Sequence, residues 1–244
     1  MTKVTVFNEN LQETSGDDVV NLVHYETEDY REFLLNSAGK ITKVHPQGIH
    51  MTLKSIFDEC DDMAVRTVTM DMPEFGFSQE VLDDTDVLVL WAHLAHEKIT
   101  DEIAERIKNR VHEGMGFLCL HSAHQCKPLH KLIGVSTIPK WRMEDACKIY
   151  CIEPNHPIAK DIPDMFELEA EQVYCEPFDI TTPDELVFVT WYQGGELLRS
   201  GCCWERENGR IFYFQPGHET CKSYYDVNVR QILKNAVRWA SHTA

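Results

Sequence analysis

Gly116-Phe-Leu-Cys-Leu-His121-Ser-Ala-His124-Gln125 carries an apolar strand straight into a tight, polar, histidine-rich turn. In an open α/β sheet the ligand crevice lies beyond the carboxyl ends of the strands, and a side chain on the strand-to-helix turn is pushed out into it. His121 is the side chain so placed. Outward from this stretch the same alternation repeats. Upstream, Ile99, Ile103, Ile107 and Val111 recur at four-residue steps, with Asp101 and Glu102 early and Lys108 and Arg110 late, as the helix dipole favours. Gly114 closes that helix. Before it, Asp86-Val-Leu-Val-Leu-Trp91 is a continuous apolar run, as for a central strand covered on both faces. It delivers Trp91, His93 and His96 to its carboxyl end.

Val4 to Phe7 reads as the first strand and Ala64 to Met70 as the second, separated by a helix whose face carries Ile49, Leu53, Ile56, Phe57 and Cys60. Strands alternating with helices predict βαβ units and a mainly parallel sheet. The second half is less regular. Ala146 to Ile152 and Glu185 to Trp191 read as strands, Gly201 to Phe214 as a hairpin turning at Asn208-Gly209, and Val229 to Ala240 as a closing amphipathic helix. Glu9 to Glu32 stands apart, with eight carboxylates and a single Arg. It reads as a solvated surface insertion at about 9–44 or as a lid over the crevice.

The chain has 244 residues, which suits one large α/β domain, with 43% hydrophobic and 26% charged residues. Forty Asp and Glu against 23 Lys and Arg leave a net charge of -17, a field that repels phosphate backbones and anionic lipid. Nucleic acid and membrane are therefore not expected partners, and a neutral small molecule such as a sugar is compatible with this charge. The nine cysteines are odd in number, lack a Cys-x-x-Cys pair and lie mostly in apolar runs, which fits free thiols in a reducing cytosol. The first residues read as a strand rather than the apolar core of a signal peptide, so a cytoplasmic location is expected.

His93, His121, His124 and His218 each follow an apolar run, so a parallel sheet brings them to one rim, where they could move protons or bind a metal. Glu219 is placed to orient His218. His121-x-x-His124 is not a zincin motif, and His-Ser-Ala around Ser122 is not a hydrolase elbow. A second, acidic and aromatic constellation spans Glu169 to Phe178 and Gly194 to Gly201. Its Glu171, Tyr174, Glu176, Glu196 and Arg199 suit sugar hydroxyls and a pyranose face, or form a surface salt-bridge network.

In Asn8-Glu9, His45-Pro-Gln-Gly-Ile-His50, Trp91-Ala-His93 with His96, Gly114-Met-Gly, His121-Ser-Ala-His124, Trp141-Arg142, Asn155-His-Pro-Ile, Glu171 to Phe178, Gly194 to Gly201 and Phe214-Gln-Pro-Gly-His-Glu219, the chain resembles the ThuA-like trehalose-utilisation proteins over nearly its whole length. The resemblance implies a flavodoxin-like, class I glutamine amidotransferase-like three-layer sandwich. It also implies a disaccharide or its keto form as substrate, and self-association as a family-level expectation. It carries site roles onto His50, His93, His121, His124, Arg142, Glu171, Tyr174, Glu176, Glu196, Arg199, His218 and Glu219.

True amidotransferases have an elbow Gly-x-Cys-x-Gly-His-Gln. With its His-Gln set on His124-Gln125, His121 stands where the nucleophilic Cys would be, so glutamine hydrolysis is not expected. The expected function is an enzyme of sugar catabolism acting by acid-base or metal-assisted chemistry. His93, His121, His218 and Glu219 would be catalytic, and His93, His121 and His218 would be ligands for a divalent metal such as zinc. The alternative is a non-catalytic sugar-binding or regulatory protein on a degenerate amidotransferase scaffold.

Overall fold

The computed structural model describes residues 1–15, 21, 28–134 and 139–242. In chain order these form β1 (Thr2–Asn8), α1 (Leu11–Ser15), α2 (Glu28–Val44), α3 (Ile49–Phe57), β2 (Met63–Thr69), α4 (Gln79–Asp83), β3 (Val87–Trp91), α5 (Asp101–His112) and β4 (Gly116–Leu120). They continue through α6 (Lys127–Ile133), β5 (Lys140–Cys151), β6 (Met165–Cys175), β7 (Glu185–Tyr192), β8 (Leu197–Arg206), β9 (Gly209–Phe214) and α7 (Val227–Ala240).

Among the described residues the strands form one nine-stranded sheet in the order β2-β1-β3-β4-β9-β8-β7-β5-β6. The first five are parallel neighbours, and the remaining four ladders, β9-β8, β8-β7, β7-β5 and β5-β6, are antiparallel. The expectation of a mainly parallel sheet is thus corrected to a mixed one. Hairpin-type connections in the second half, including the β8-β9 turn at Glu207-Asn208, need no crossover helix and so build antiparallel strands.

The parallel half is apolar because it is covered on both sides. Every residue of β3 and β4 is buried, as are Val4, Val6 and Phe7 of β1. From β1 the chain steps outward to β2 through α3, then back across β1 to β3 and on to β4 through α4 and α5. Right-handed crossovers then place α3 on one face and α4 and α5 on the other. α7 returns to pack against α3, β4 and β9. Gly116 of β4 admits the close approach of α7: a Cβ there would meet the Ala240 side chain at 2.7 Å.

α5 is capped by Thr100, whose hydroxyl accepts from the Ile103 N–H, and it buries Ile103, Ala104, Ile107 and Val111. Ile99 precedes the helix instead of opening it. The carboxyl ends of β1, β3, β4 and β9 all open on one rim, and the reversal of strand order between β1 and β3 makes that rim the topological switch point.

The acidic segment is not simply solvated. Glu9 and Gln12 are buried and α2 fills residues 28–44, while residues 16–20 and 22–27, also part of that expectation, lie outside the described residues.

Candidate active site

Four strand ends supply the rim. β4 ends at Leu120 and His121 follows with a φ of 51°, a left-handed conformation sparsely populated by residues other than Gly, Asn and Asp. That turn aims the imidazole across the strand ends, as at an elbow. Its Nδ1 lies 2.9 Å from the Gln215 carbonyl oxygen, which can only accept, so Nδ1 carries the proton and Nε2 the lone pair. Nε2 faces the Gln172 amide at 3.1 Å and the Tyr174 hydroxyl at 3.5 Å. The Gln172 amide nitrogen belongs on that side, donating to the lone pair. Tyr174 stacks on His121, with ring centroids 5.0 Å apart and planes 19° from parallel.

His93, two residues beyond β3, packs edge-on to His121 at 6.0 Å and to His218 at 5.8 Å, and His121 and His218 are 5.3 Å apart. Glu219 lies among them. Its Oε1 is 2.8 Å from His93 Nδ1 and accepts from Gln12 Nε2 at 3.2 Å, while its Oε2 is 3.4 Å from His218 Nε2. His121, His218 and Glu219 are fully buried, and the His93 side chain is 11% exposed. Burial holds His121 far below the ordinary histidine range, so it is neutral. Burial also lowers His93, but the Glu219 carboxylate outweighs it and raises the net value. Burial alone would raise Glu219; His218 and His93 reverse that and hold it well below the carboxylate range.

Two buried carboxylates fix the loops that carry these histidines. Glu9 accepts from three successive backbone N–H groups, of His93 (3.0 Å), Leu94 (2.7 Å) and Ala95 (2.9 Å). Glu171 accepts from Gly217 N (2.8 Å), His218 N (3.1 Å), Gln172 N (2.8 Å) and Ser223 Oγ (2.5 Å). Burial pushes the Glu171 carboxyl up to about 7 against the pull of these donors. At Gly217, with φ of 139°, a Cβ would lie 2.1 Å from the Tyr224 hydroxyl, so only glycine permits this approach. Trp91 Nε1 donates to the Gly217 carbonyl and ties the β3 end to the same loop.

The profile of the ThuA family, described as trehalose utilisation, matches residues 22–240. The chain belongs to the ThuA family. Its fold is shared with a ThuA-like protein from Parabacteroides merdae (TM-score 0.65, 13% identity, 99% of this chain and 90% of that one). It is shared too with a ThuA-like protein from Bacteroides uniformis (0.60, 15%, 98% and 91%) and with a protein named as cytoplasmic from Salmonella typhimurium (0.58, 12%, 98% and 99%). No curated protein matches the sequence. Among the described residues no helix is long and apolar enough to cross a membrane.

In this ThuA-family chain the residues expected at the site divide into those the fold gathers and those it does not. His93, His121, His218, Glu219 and Tyr174 meet. Glu171 is beside them, with its two oxygens taken by the Gln172, Gly217 and His218 N–H groups and the Ser223 hydroxyl, so it braces the His218 loop. His124 points away, its ring boxed by Tyr174, Phe178 and Tyr213, with Nδ1 donating to the His121 carbonyl at 3.2 Å. His50, half-buried at the start of α3, faces the Asn8 side-chain amide at 3.3 Å.

Arg142 and Glu196 pair with each other, Nε to Oε1 at 2.5 Å and Nη2 to Oε2 at 2.9 Å, and Arg142 also reaches Asp145. Arg199 forks onto Glu176 at 2.8 and 3.2 Å and donates to the Phe178 carbonyl. These four therefore stand as two separate ion pairs, apart from the contacts of the histidine cluster. Ser122 Oγ donates to the Ala92 carbonyl, and all nine cysteines are free.

Sequence reasoning passed over Gln12, Gln172, Gln215, Thr220 and the clamping role of Glu9. Glu9 had a legible signal, standing directly after a central strand; the polar partners of His121 had none, since one of them is a main-chain carbonyl. Three residues, His93, His218 and Glu219, could hold a metal, with one donor atom from each lying within 4.8 Å of the others. His121, expected as a further imidazole ligand, is not in that set. A hollow of about 540 Å³ is lined in part by Thr220, Lys222, Ser223 and Tyr225, and the Thr220 hydroxyl lies 2.8 Å from His218 Nδ1, although no residue of the cluster itself lines the hollow.

Proposed function

We propose that this ThuA-family protein is an enzyme that moves a proton on a sugar, a disaccharide or its keto derivative, at the His93-His121-His218-Glu219 cluster. The observation that carries this reading is the elbow at His121. A neutral imidazole in a left-handed turn has its Nδ1 proton committed to a carbonyl, and its Nε2 lone pair, which the Gln172 amide would have to yield to a substrate, lies beside two further imidazoles and a carboxylate.

A base of this kind takes a proton from a carbon beside a carbonyl or from a hydroxyl. Of the neighbouring groups His93, whose protonated form the Glu219 carboxylate favours, is the one that would offset the developing oxyanion. Isomerisation, elimination and hydrolysis of a keto-glycoside share that first step. Tyr174, stacked on His121, offers an aromatic surface and a hydroxyl beside the base. The substrate would enter from the exposed edge of His93 or from the hollow at Thr220.

Turnover of 3-keto-disaccharides by the wild type and by His121→Asn tests the reading. A loss of roughly 1,000-fold is expected, within the range for removal of a general base; equal rates would remove His121 from the mechanism. Calorimetry separates the rival class. Tight sugar binding, with the sugar recovered unchanged after long incubation, would make the protein a binding module.

A further inference from the structure

We infer that His93, His218 and Glu219 form a three-ligand site for a divalent transition metal of the zinc class, and that this metal is the seat of positive charge beside His121. The inference deepens the proton-transfer reading of the same cluster, but it stands on separate observations. The first is spacing. His218 Nε2 and Glu219 Oε2 are 3.4 Å apart, too long for a strong ion-pair hydrogen bond. Ligand bonds of about 2.0–2.1 Å in a tetrahedron put neighbouring donor atoms about 3.3–3.4 Å apart.

The second is orientation. His218 Nδ1 is 2.8 Å from Thr220 Oγ1, and that hydroxyl gives its own proton to Glu144 Oε1 at 2.6 Å. Thr220 Oγ1 is therefore the acceptor toward His218, so the imidazole proton sits on Nδ1 and the Nε2 lone pair is turned to Glu219. The weaker 3.3 Å approach of the Thr220 N–H to Nδ1 opposes this assignment, and the shorter contact prevails. A relay of this kind, from histidine through a hydroxyl to a carboxylate, is how outer groups fix the tautomer of a metal-bound imidazole.

The third is an orphaned atom: among the described residues Glu219 Oε2 is fully buried and accepts no hydrogen bond. A dry carboxylate oxygen opposite an imidazole lone pair calls for a cation between them. His93 Nδ1, 2.8 Å from Glu219 Oε1, would take the metal in place of its proton, that proton leaving to solvent and the neutral imidazole keeping its hydrogen on Nε2. Two neutral nitrogens and one carboxylate oxygen suit zinc or its neighbours, and three protein ligands leave a coordination position for a substrate oxygen.

The test uses the full-length protein, stripped with a chelator and dialysed, then titrated with Zn²⁺ by calorimetry and with Co²⁺ by visible absorption. One ion per chain and the absorption of a low-symmetry Co²⁺ site are expected. Glu219→Gln and His218→Asn should weaken binding by roughly 100-fold or more, Thr220→Val by roughly 10-fold, and His121→Asn not at all. Circular dichroism checks that each variant folds; if Glu219→Gln does not, His93→Asn replaces it.

Absence of stoichiometric binding overturns the site. So does metal retained by Glu219→Gln but lost by Cys221→Ser, because Glu144, His218 and Cys221 form a neighbouring donor group. The two readings fail separately: full keto-sugar turnover by the stripped protein removes the metal and leaves His121, whereas normal metal binding with an active His121→Asn does the reverse.

Discussion

Two rims of one sheet carry charged groups in this protein, and they use them in opposite ways. At the carboxyl rim of the parallel half, Glu9, Glu171 and Glu219 are sealed from water and surrounded by backbone N–H groups and imidazoles. In the antiparallel half, Arg142 with Glu196 and Arg199 with Glu176 face each other at partly exposed positions. A surface pair contributes little, since water screens it and two long side chains must be ordered. A buried carboxylate is costly unless several donors hold it, so its retention in a packed interior marks either a brace or a chemical group. Glu9 and Glu171 are braces, their hydrogen bonds going to backbone N–H groups and, for Glu171, also to the Ser223 hydroxyl. Glu219 differs in meeting two imidazoles and leaving one oxygen uncommitted.

The contrast breaks if the wrong rim proves active. His121→Asn should lower keto-disaccharide turnover roughly 1,000-fold while Arg142→Ala changes it less than about tenfold; the reverse order would move the site to the antiparallel half.

Stability sharpens the difference next. Glu171→Ala strands the N–H groups of Gly217, His218 and Gln172 and the Ser223 hydroxyl, and a loss of about 3–5 kcal/mol is expected in urea unfolding. Glu171→Gln, which keeps one acceptor, should lose about half as much.

A pH titration tests the buried side through His124. Burial pushes its pKa down to about 4 from an ordinary 6.5, although its bond to the His121 carbonyl works the other way. Between those values the unfolded chain binds the proton and the folded one does not. Stability is therefore full above about pH 6.5 and falls as the pH drops toward 4, by about 3 kcal/mol in all. His124→Phe should flatten that acid limb when urea midpoints at pH 7 and pH 5 are compared; an unchanged slope would mean that other groups set it. The smallest effect belongs to the exposed pair: Arg142→Ala is expected to cost about 0–1 kcal/mol in the same urea assay.

The parallel half was legible because burial on both faces writes itself as uninterrupted apolar runs, as in Val87–Trp91 and Gly116–Leu120. β6 was not. Its residues alternate Phe166 and Leu168 inward with Glu167 and Glu169 outward and then bury Glu171, so charge masked a strand that looked like a binding segment. Glu9, although it directly follows β1, was grouped with the carboxylates after it and so its clamping role was passed over. The histidines could be placed at the rim because each follows a strand, but their pairing could not be read. The contacts of His121 run to residues 51 and 94 positions away, and the more distant partner is a main-chain carbonyl.

β9 has a consequence for how the molecule comes apart. One of its edges is laddered to β4 and the other to β8, so a single strand of six residues is shared by the two halves of the sheet. Neither half can melt without stripping a partner from the other. Calorimetric unfolding should accordingly show one cooperative peak, and the loop bearing His218, which leaves directly from β9, should lose its amide-exchange protection together with the hairpin.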